Sequence, residues 1–152
     1  LGGLTAWLEA VTRFRVKVAE QGERPQAGNV YFAPDFHHLA VSRDGSIDLT
    51  QRTPVSGFVP SATVLFESLA SVFGASALGV ILTGMGQDGV AGLIEMRRVG
   101  SPVIAQDEES SVVFGMPKAA IEAGLTTMVL PLPQIAARLA QLSRGEGSKG
   151  RT

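Results

Sequence analysis

Strand and helix patterns alternate along this chain, and they predict an α/β fold: a doubly wound, mostly parallel sheet in a three-layer α/β/α arrangement, with one antiparallel hairpin inserted. Three observations carry that prediction. Leu78 to Leu82 (LGVIL) is an unbroken apolar run, as expected of a central parallel strand covered on both faces. It is followed by the glycine-rich loop TGMGQDG and then by a helical pattern, the strand–turn–helix succession of a parallel unit. Upstream, Asp44-Gly45 separates two alternating runs, a strong hairpin signal.

The elements follow in order. Residues 4–12 place Leu4, Trp7, Leu8 and Val11 at helical spacing and predict a short amphipathic helix. Arg15 to Ala19 alternates like a strand, and Val30 to Ala33 reads as a short buried strand stopped at Pro34. HLAVS and IDLT form the hairpin around Arg43-Asp44-Gly45-Ser46. Residues 51–60 hold two prolines and read as an irregular loop. Ser61 is a good N-cap for a helix with Leu65, Phe66, Leu69, Val72 and Phe73 apolar, closed by Gly74. After the apolar strand, Val90 to Val99 predicts a helix closed by Gly100, and Pro102 to Ala105 begins another buried strand. Pro117 is expected at the first position of a helix that ends before Gly124. Met128 to Leu130 is a short strand, and residues 133–142 form a last amphipathic helix. The polar stretch 143–152 is expected to be a disordered tail.

Composition limits the function classes. The 152 residues suit one domain, and 45% hydrophobic against 18% charged residues allows a sizeable core. Thirteen basic and 14 acidic side chains leave a net charge of −1, which is no footprint for nucleic acid or anionic membrane. Without cysteine there is neither a disulfide frame nor a thiolate metal site. No apolar run approaches the roughly 18 residues of a membrane span, so no direct membrane insertion is expected. No signal peptide is visible, and a first residue that is Leu suggests a missing N-terminus.

The most informative segment is Leu78 through Gly92, since ligands of open α/β sheets bind outside the carboxyl ends of strands. Two functional readings compete there. Gly84-Met85-Gly86-Gln87-Asp88-Gly89 matches the G-x-G-x-x-G of a Rossmann-like dinucleotide site, and Asp107 lies 18 residues beyond Gly89, where a ribose-binding acid belongs. A carboxylate at position 88, however, sits where a pyrophosphate would need to be and repels it. In the second reading Asp88 orients a histidine in an acyl-transfer triad and stays ionised under backbone N–H groups and the helix dipole. A plain N-cap role at the start of its own helix is compatible with either.

The string ILTGMGQDGVAGL, followed by IAQDEESSVVFGMPKAAIEAG, resembles the catalytic domain of the CheB-type chemotaxis protein-glutamate methylesterases. AGNVYFAPDFHHLAV resembles that family's hairpin region, and PSATVLFESLA its Pro-Ser…Leu-Phe-x-Ser-Leu-Ala helix. The resemblance runs from about residue 1 to residue 140. It implies a Ser-His-Asp triad hydrolysing glutamyl methyl esters on chemoreceptors, with deamidation of receptor glutamines as a second activity. It maps the triad aspartate onto Asp88, puts Met85 in the lining of the active site, and makes Gly84 and Gly86 its substrate-binding neighbours. It implies no metal or other cofactor, a cytoplasmic location, methyl-accepting chemotaxis receptors as partners, and in many members an N-terminal receiver domain. The family's Gly-x-Ser-x-Gly-Gly loop and Gln-His pair are both missing from these 152 residues. Residues 1–142 are therefore expected to be a partial methylesterase domain, incomplete at the N-terminus and inactive alone. A dinucleotide-binding module or a non-catalytic signalling interaction domain are the alternatives. A smaller departure is Thr63, where the family usually has Asp.

Several residues invite a role and are set aside. His37 and His38 are the only histidines, and one of them with Asp88 and Ser61 or Ser110 would spell a triad. The resemblance places His38 in a hairpin outside the triad, so a hydrogen-bonded structural or rim role is expected. Adjacent strand residues point to opposite faces, which argues against a shared metal. Asp107, Glu108 and Glu109 read as a solvated loop, and neither Ser110 nor Ser111 is marked as a nucleophile. Phe114 to Pro117 reads as a turn feeding a helix, with Lys118 solvated.

Overall fold

The computed structural model describes residues 2–50 and 53–143. The expected tail lies outside the described residues from 144 onward, and Ser143 itself belongs to the last helix.

The first half consists of α1 (Gly2–Val11), β1 (Arg15–Val18), β2 (Asn29–Phe32), β3 (His38–Val41) and β4 (Ile47–Thr50). β1 and β2 pair in parallel, from Arg15 with Asn29 to Val18 with Phe32. β3 and β4 form the antiparallel hairpin, from His38 with Thr50 to Val41 with Ile47. Its loop is three residues long, because Ser42 N–H still donates to Ser46 O at 2.8 Å. Gly45 takes the left-handed conformation (φ 83°) that closes such a loop.

The second half alternates: α2 (Ala62–Phe73), a short 3₁₀ turn at Gly74–Ser76, β5 (Gly79–Ile81), α3 (Val90–Arg98), β6 (Val103–Gln106), α4 (Met116–Glu122), β7 (Met128–Leu130) and α5 (Leu132–Ser143). The caps fall where the sequence puts them at α2. Ser61 Oγ accepts from Thr63 N–H, and Gly74 ends the helix. α4 starts one residue before the expected position, so Pro117 is second in the helix. Its missing N–H is an orphan at either place.

β5, β6 and β7 form one parallel sheet in that order. Val103 and Ala105 of β6 share a core with Leu93, Met96 and Ala120 of α3 and α4. Ile104, which points the other way, faces Leu139 and Leu142 of α5. Helices thus cover both faces, as a doubly wound sheet requires. One expectation is corrected, and one helix face lies open. β6, not β5, is the middle strand: all four of its residues are buried, whereas Val80 of β5 is half-buried and Leu82 is 42% exposed. The apolar stripe of α1 is also not a buried one. Leu4, Trp7 and Val11 are all exposed, and Thr5 is the buried residue of that helix. Helical periodicity predicts a face, but only a neighbouring element can cover it.

Candidate functional site

The site lies beyond the carboxyl end of β5, where the backbone leaves the sheet through Thr83-Gly84-Met85-Gly86-Gln87-Asp88-Gly89. The loop is fastened at its start. Gly84 N–H donates to Val113 O (3.0 Å), and Gly84 O accepts from Gly115 N–H (3.1 Å) and Met116 N–H (2.9 Å) at the beginning of α4. Gln106, buried at the end of β6, accepts Thr83 N–H at 2.8 Å. Phe114 to Pro117 is therefore more than a turn feeding a helix, since it grips the loop. The fit is tight: a Cβ at Gly115 would sit 2.7 Å from Gly84 O. Held in this way, the loop presents Met85 with 83% of its surface exposed. Gly86 beside it adopts φ 95°, a conformation that glycine tolerates best. Phe58, half-exposed, approaches Gly86 from a tight turn in which Val55 and Phe58 exchange backbone hydrogen bonds.

Asp88 ends the loop, and it is buried, with 9% of its surface exposed. It does not cap its own helix. The N-cap of α3 is Gly89, at φ 89°, without a side-chain hydrogen bond. Asp88 instead crosses to the start of α2. Its Oδ1 accepts the Ser61 hydroxyl at 2.6 Å, and its Oδ2 accepts Ala62 N–H at 2.8 Å. Thr63 Oγ1 lies 3.5 Å from Oδ1 and accepts Gly89 N–H at 3.0 Å. A carboxylate at a helix N-terminus is favoured by the orphan amide groups and the positive end of the helix dipole. Thr63 thus ties the start of α2 to Gly89, the N-cap of α3.

His38 is fully buried behind this cluster. Its Nδ1 accepts Ser61 N–H at 3.1 Å, which leaves Nε2 to carry the proton, 3.4 Å from Thr53 O. The structure therefore does bring together the histidine, serine and aspartate that a pattern-reader would pair, but with unsuitable roles. The imidazole touches the backbone of Ser61 and not its hydroxyl. That hydroxyl donates to the carboxylate and accepts Thr63 N–H, and at 3% exposure it faces no substrate. The imidazole is not placed to take its proton. Full burial makes His38 structural and not a residue of the rim, while the exposed His37 ring meets Asp35 O at 2.9 Å.

The other candidates lie apart. Asp107 closes its own loop, with Oδ1 accepting Ser110 N–H (3.0 Å) and Ser110 Oγ–H (2.6 Å). Ser111 Oγ–H donates to Asp107 O. Lys118 lies 3.8 Å from Glu122 on the exposed side of α4. The dinucleotide reading loses its chemistry here. The amides of Gly84, Gly89 and Val90 are already bonded to Val113 O, Thr63 Oγ1 and Gln87 O, and both acids of the fingerprint are engaged within the protein. No cluster of acidic and histidine side chains fit for a metal occurs among the described residues. No described helix is long and apolar enough to cross a membrane.

The family model described as CheB methylesterase matches residues 2–139. The chain is 48% identical over 145 residues to protein-glutamate methylesterase/protein-glutamine glutaminase 4 of Myxococcus xanthus (strain DK1622), covering 95% of this chain and 41% of that protein. The protein of the same activities from the group 3 operon of Rhizobium meliloti (strain 1021) is also 48% identical, with the same coverage. A crystal structure of the Thermotoga maritima CheB methylesterase catalytic domain superposes with a TM-score of 0.87 at 36% identity, over 92% of this chain and 76% of that one. The chain thus spans about two-fifths of the length of the curated relatives it matches.

Proposed function

The chain belongs to the CheB methylesterase family, and from that premise we propose that it is part of a carboxylic ester hydrolase acting on glutamyl methyl esters of chemotaxis receptors. The relatives named as glutaminases extend the proposal to receptor glutamines. Residues 1–142 supply the aspartate of a Ser-His-Asp triad, and the serine and histidine come from sequence outside these 152 residues. In the complete enzyme the serine attacks the ester carbonyl while the histidine takes its proton. The tetrahedral oxyanion collapses, methanol leaves with that proton, and water then hydrolyses the acyl-serine. Asp88 holds the imidazole in the right tautomer and balances its charge. Met85, Gly84 and Gly86 form the wall against which the ester lies.

The observation that carries this reading is the placement of Asp88. A carboxylate at a strand's carboxyl end is held rigidly by α2, next to an exposed methionine and a glycine that lets substrate approach the backbone. Cytoplasmic work on receptor signalling domains follows from the same reading, as does regulation by a further domain such as a receiver.

The test is methanol release from methylated receptor by the complete enzyme. Asp88→Asn is expected to lower kcat by about 10⁴-fold, the loss typical when a triad aspartate is made neutral. The 152-residue chain alone is expected to give no turnover. An Asp88→Asn enzyme as fast as the wild type would overturn the assignment.

A further inference from the structure

We propose that Ser61 is a positioning residue for Asp88, and that His38 holds Ser61 in place, so that this buried chain of hydrogen bonds decides which carboxylate oxygen meets the imidazole. The proposal rests on the esterase reading of Asp88. Its links run from Thr53 O to the His38 ring (3.4 Å), from His38 Nδ1 to Ser61 N–H (3.1 Å), and from the Ser61 hydroxyl to Asp88 Oδ1 (2.6 Å). His38, Ser61 and Asp88 are 0%, 3% and 9% exposed, so water is a poor substitute for any link.

An N-cap serine needs only its oxygen, to accept an amide of the first turn. Ser61 meets that need with Thr63 N–H at 3.2 Å. The hydroxyl proton is then left over, and it is spent on Asp88 at the shortest distance in the cluster. Oδ1 takes the Ser61 hydroxyl and faces Thr63 Oγ1, whereas among the described residues Oδ2 takes Ala62 N–H alone. The free capacity lies on Oδ2, and that oxygen receives the N–H of the triad histidine. A carboxylate anchored at one oxygen by a hydroxyl and at the other by a helix amide cannot rotate about its Cβ–Cγ bond without losing both. Triad geometry demands that rigidity, because a misplacement of about 1 Å costs on the order of 100-fold in rate.

The decisive variant is Ser61→Gly, since glycine remains an acceptable N-cap while removing the donor. In the complete enzyme it is expected to lower kcat by about 10- to 100-fold with KM little changed. Ser61→Thr, which keeps a hydroxyl, is expected to restore most of the rate. His38→Asn, which offers an acceptor where Nδ1 stands, is expected to stay near the wild type, and His38→Leu to fall with Ser61→Gly. A second readout needs no esterase activity. In the 152-residue chain, the side-chain carboxyl ¹³C resonance of Asp88 is expected to move in Ser61→Gly and to stay in Ser61→Thr. An unmoved resonance, or a moved one with wild-type kcat in Ser61→Gly, overturns the positioning role. Full activity in Asp88→Asn overturns the esterase reading instead, so the two failures are distinguishable.

Discussion

Single side chains set two of this protein's local states. Besides Asp88, the clearest is Asp44 at the tip of the β3–β4 hairpin. The Ser46 hydroxyl at 2.7 Å and the Ser46 amide at 3.1 Å both donate to its Oδ1. Those bonds, the hydroxyl's first, hold its carboxyl below the usual carboxylate range against the opposing cost of burial, with a lesser pull from Arg24. A lowered value in the folded state means that the contribution is complete above the unfolded value of about 4. It is lost as the pH falls through the folded value. The Ser46 amide resonance is accordingly expected to be flat from neutral pH down to about 4 and to shift below it. Asp44→Asn should abolish that titration, and a Ser46 shift centred near neutrality would contradict the account. The Asp-Gly pair was legible in the sequence because turn chemistry is local. The same locality made Asp88 legible as a strand-end acid, but not its partners, which lie 26 and 27 residues away in the chain.

At the scale of elements, α2 and α3 pack closely against each other, and Gly92 allows it. A Cβ there would lie 2.6 Å from Thr63 O and 2.7 Å from Phe66 Cβ. The first of these is backbone and cannot step aside. Gly92→Val is expected to destabilise the fold by about 1–3 kcal/mol through overpacking. That outweighs the few tenths of a kcal/mol gained by replacing glycine inside a helix. At about 2–4 °C per kcal/mol, thermal unfolding should show the loss. Because Ser61 and Thr63 sit on the helix that must move, the same substitution should also shift the Asp88 resonance. A variant as stable as the wild type would show that the two helices have slack. From the sequence, Gly92 reads as a mild defect in a helix; only the crossing of α2 gives it a purpose.

For the whole molecule, the distribution of apolar surface is the distinctive feature. A groove of about 500 Å³ lies between β5, β6 and α5, lined by Leu78, Val80, Ile104, Leu139 and Leu142 among others. Leu82, Leu139 and Leu142 remain 40% or more exposed, as do Leu4, Trp7 and Val11 on α1. An apolar groove open to solvent binds hydrophobic probes. The 152-residue chain is therefore expected to bind an anilinonaphthalene sulfonate dye in its native state. Glutamate at both Leu139 and Leu142 should remove most of that signal while helical content stays the same. Equal fluorescence in that double variant would place the apolar surface elsewhere.

The sequence by itself determined the order and kind of nearly every element, the caps of α2, the hairpin, and the loop that carries Asp88, Met85 and the two glycines. Periodicity, capping and turn preference act over a few residues, so they leave a mark that can be read along the chain. Tertiary structure alone decided that Asp88 anchors α2 and not its own helix, that β6 and not β5 is the middle strand, and that the apolar stripe of α1 stays exposed. These depend on contacts between distant segments. A serine hydroxyl at a helix start has the same sequence signature whether its proton points to water or to a buried carboxylate.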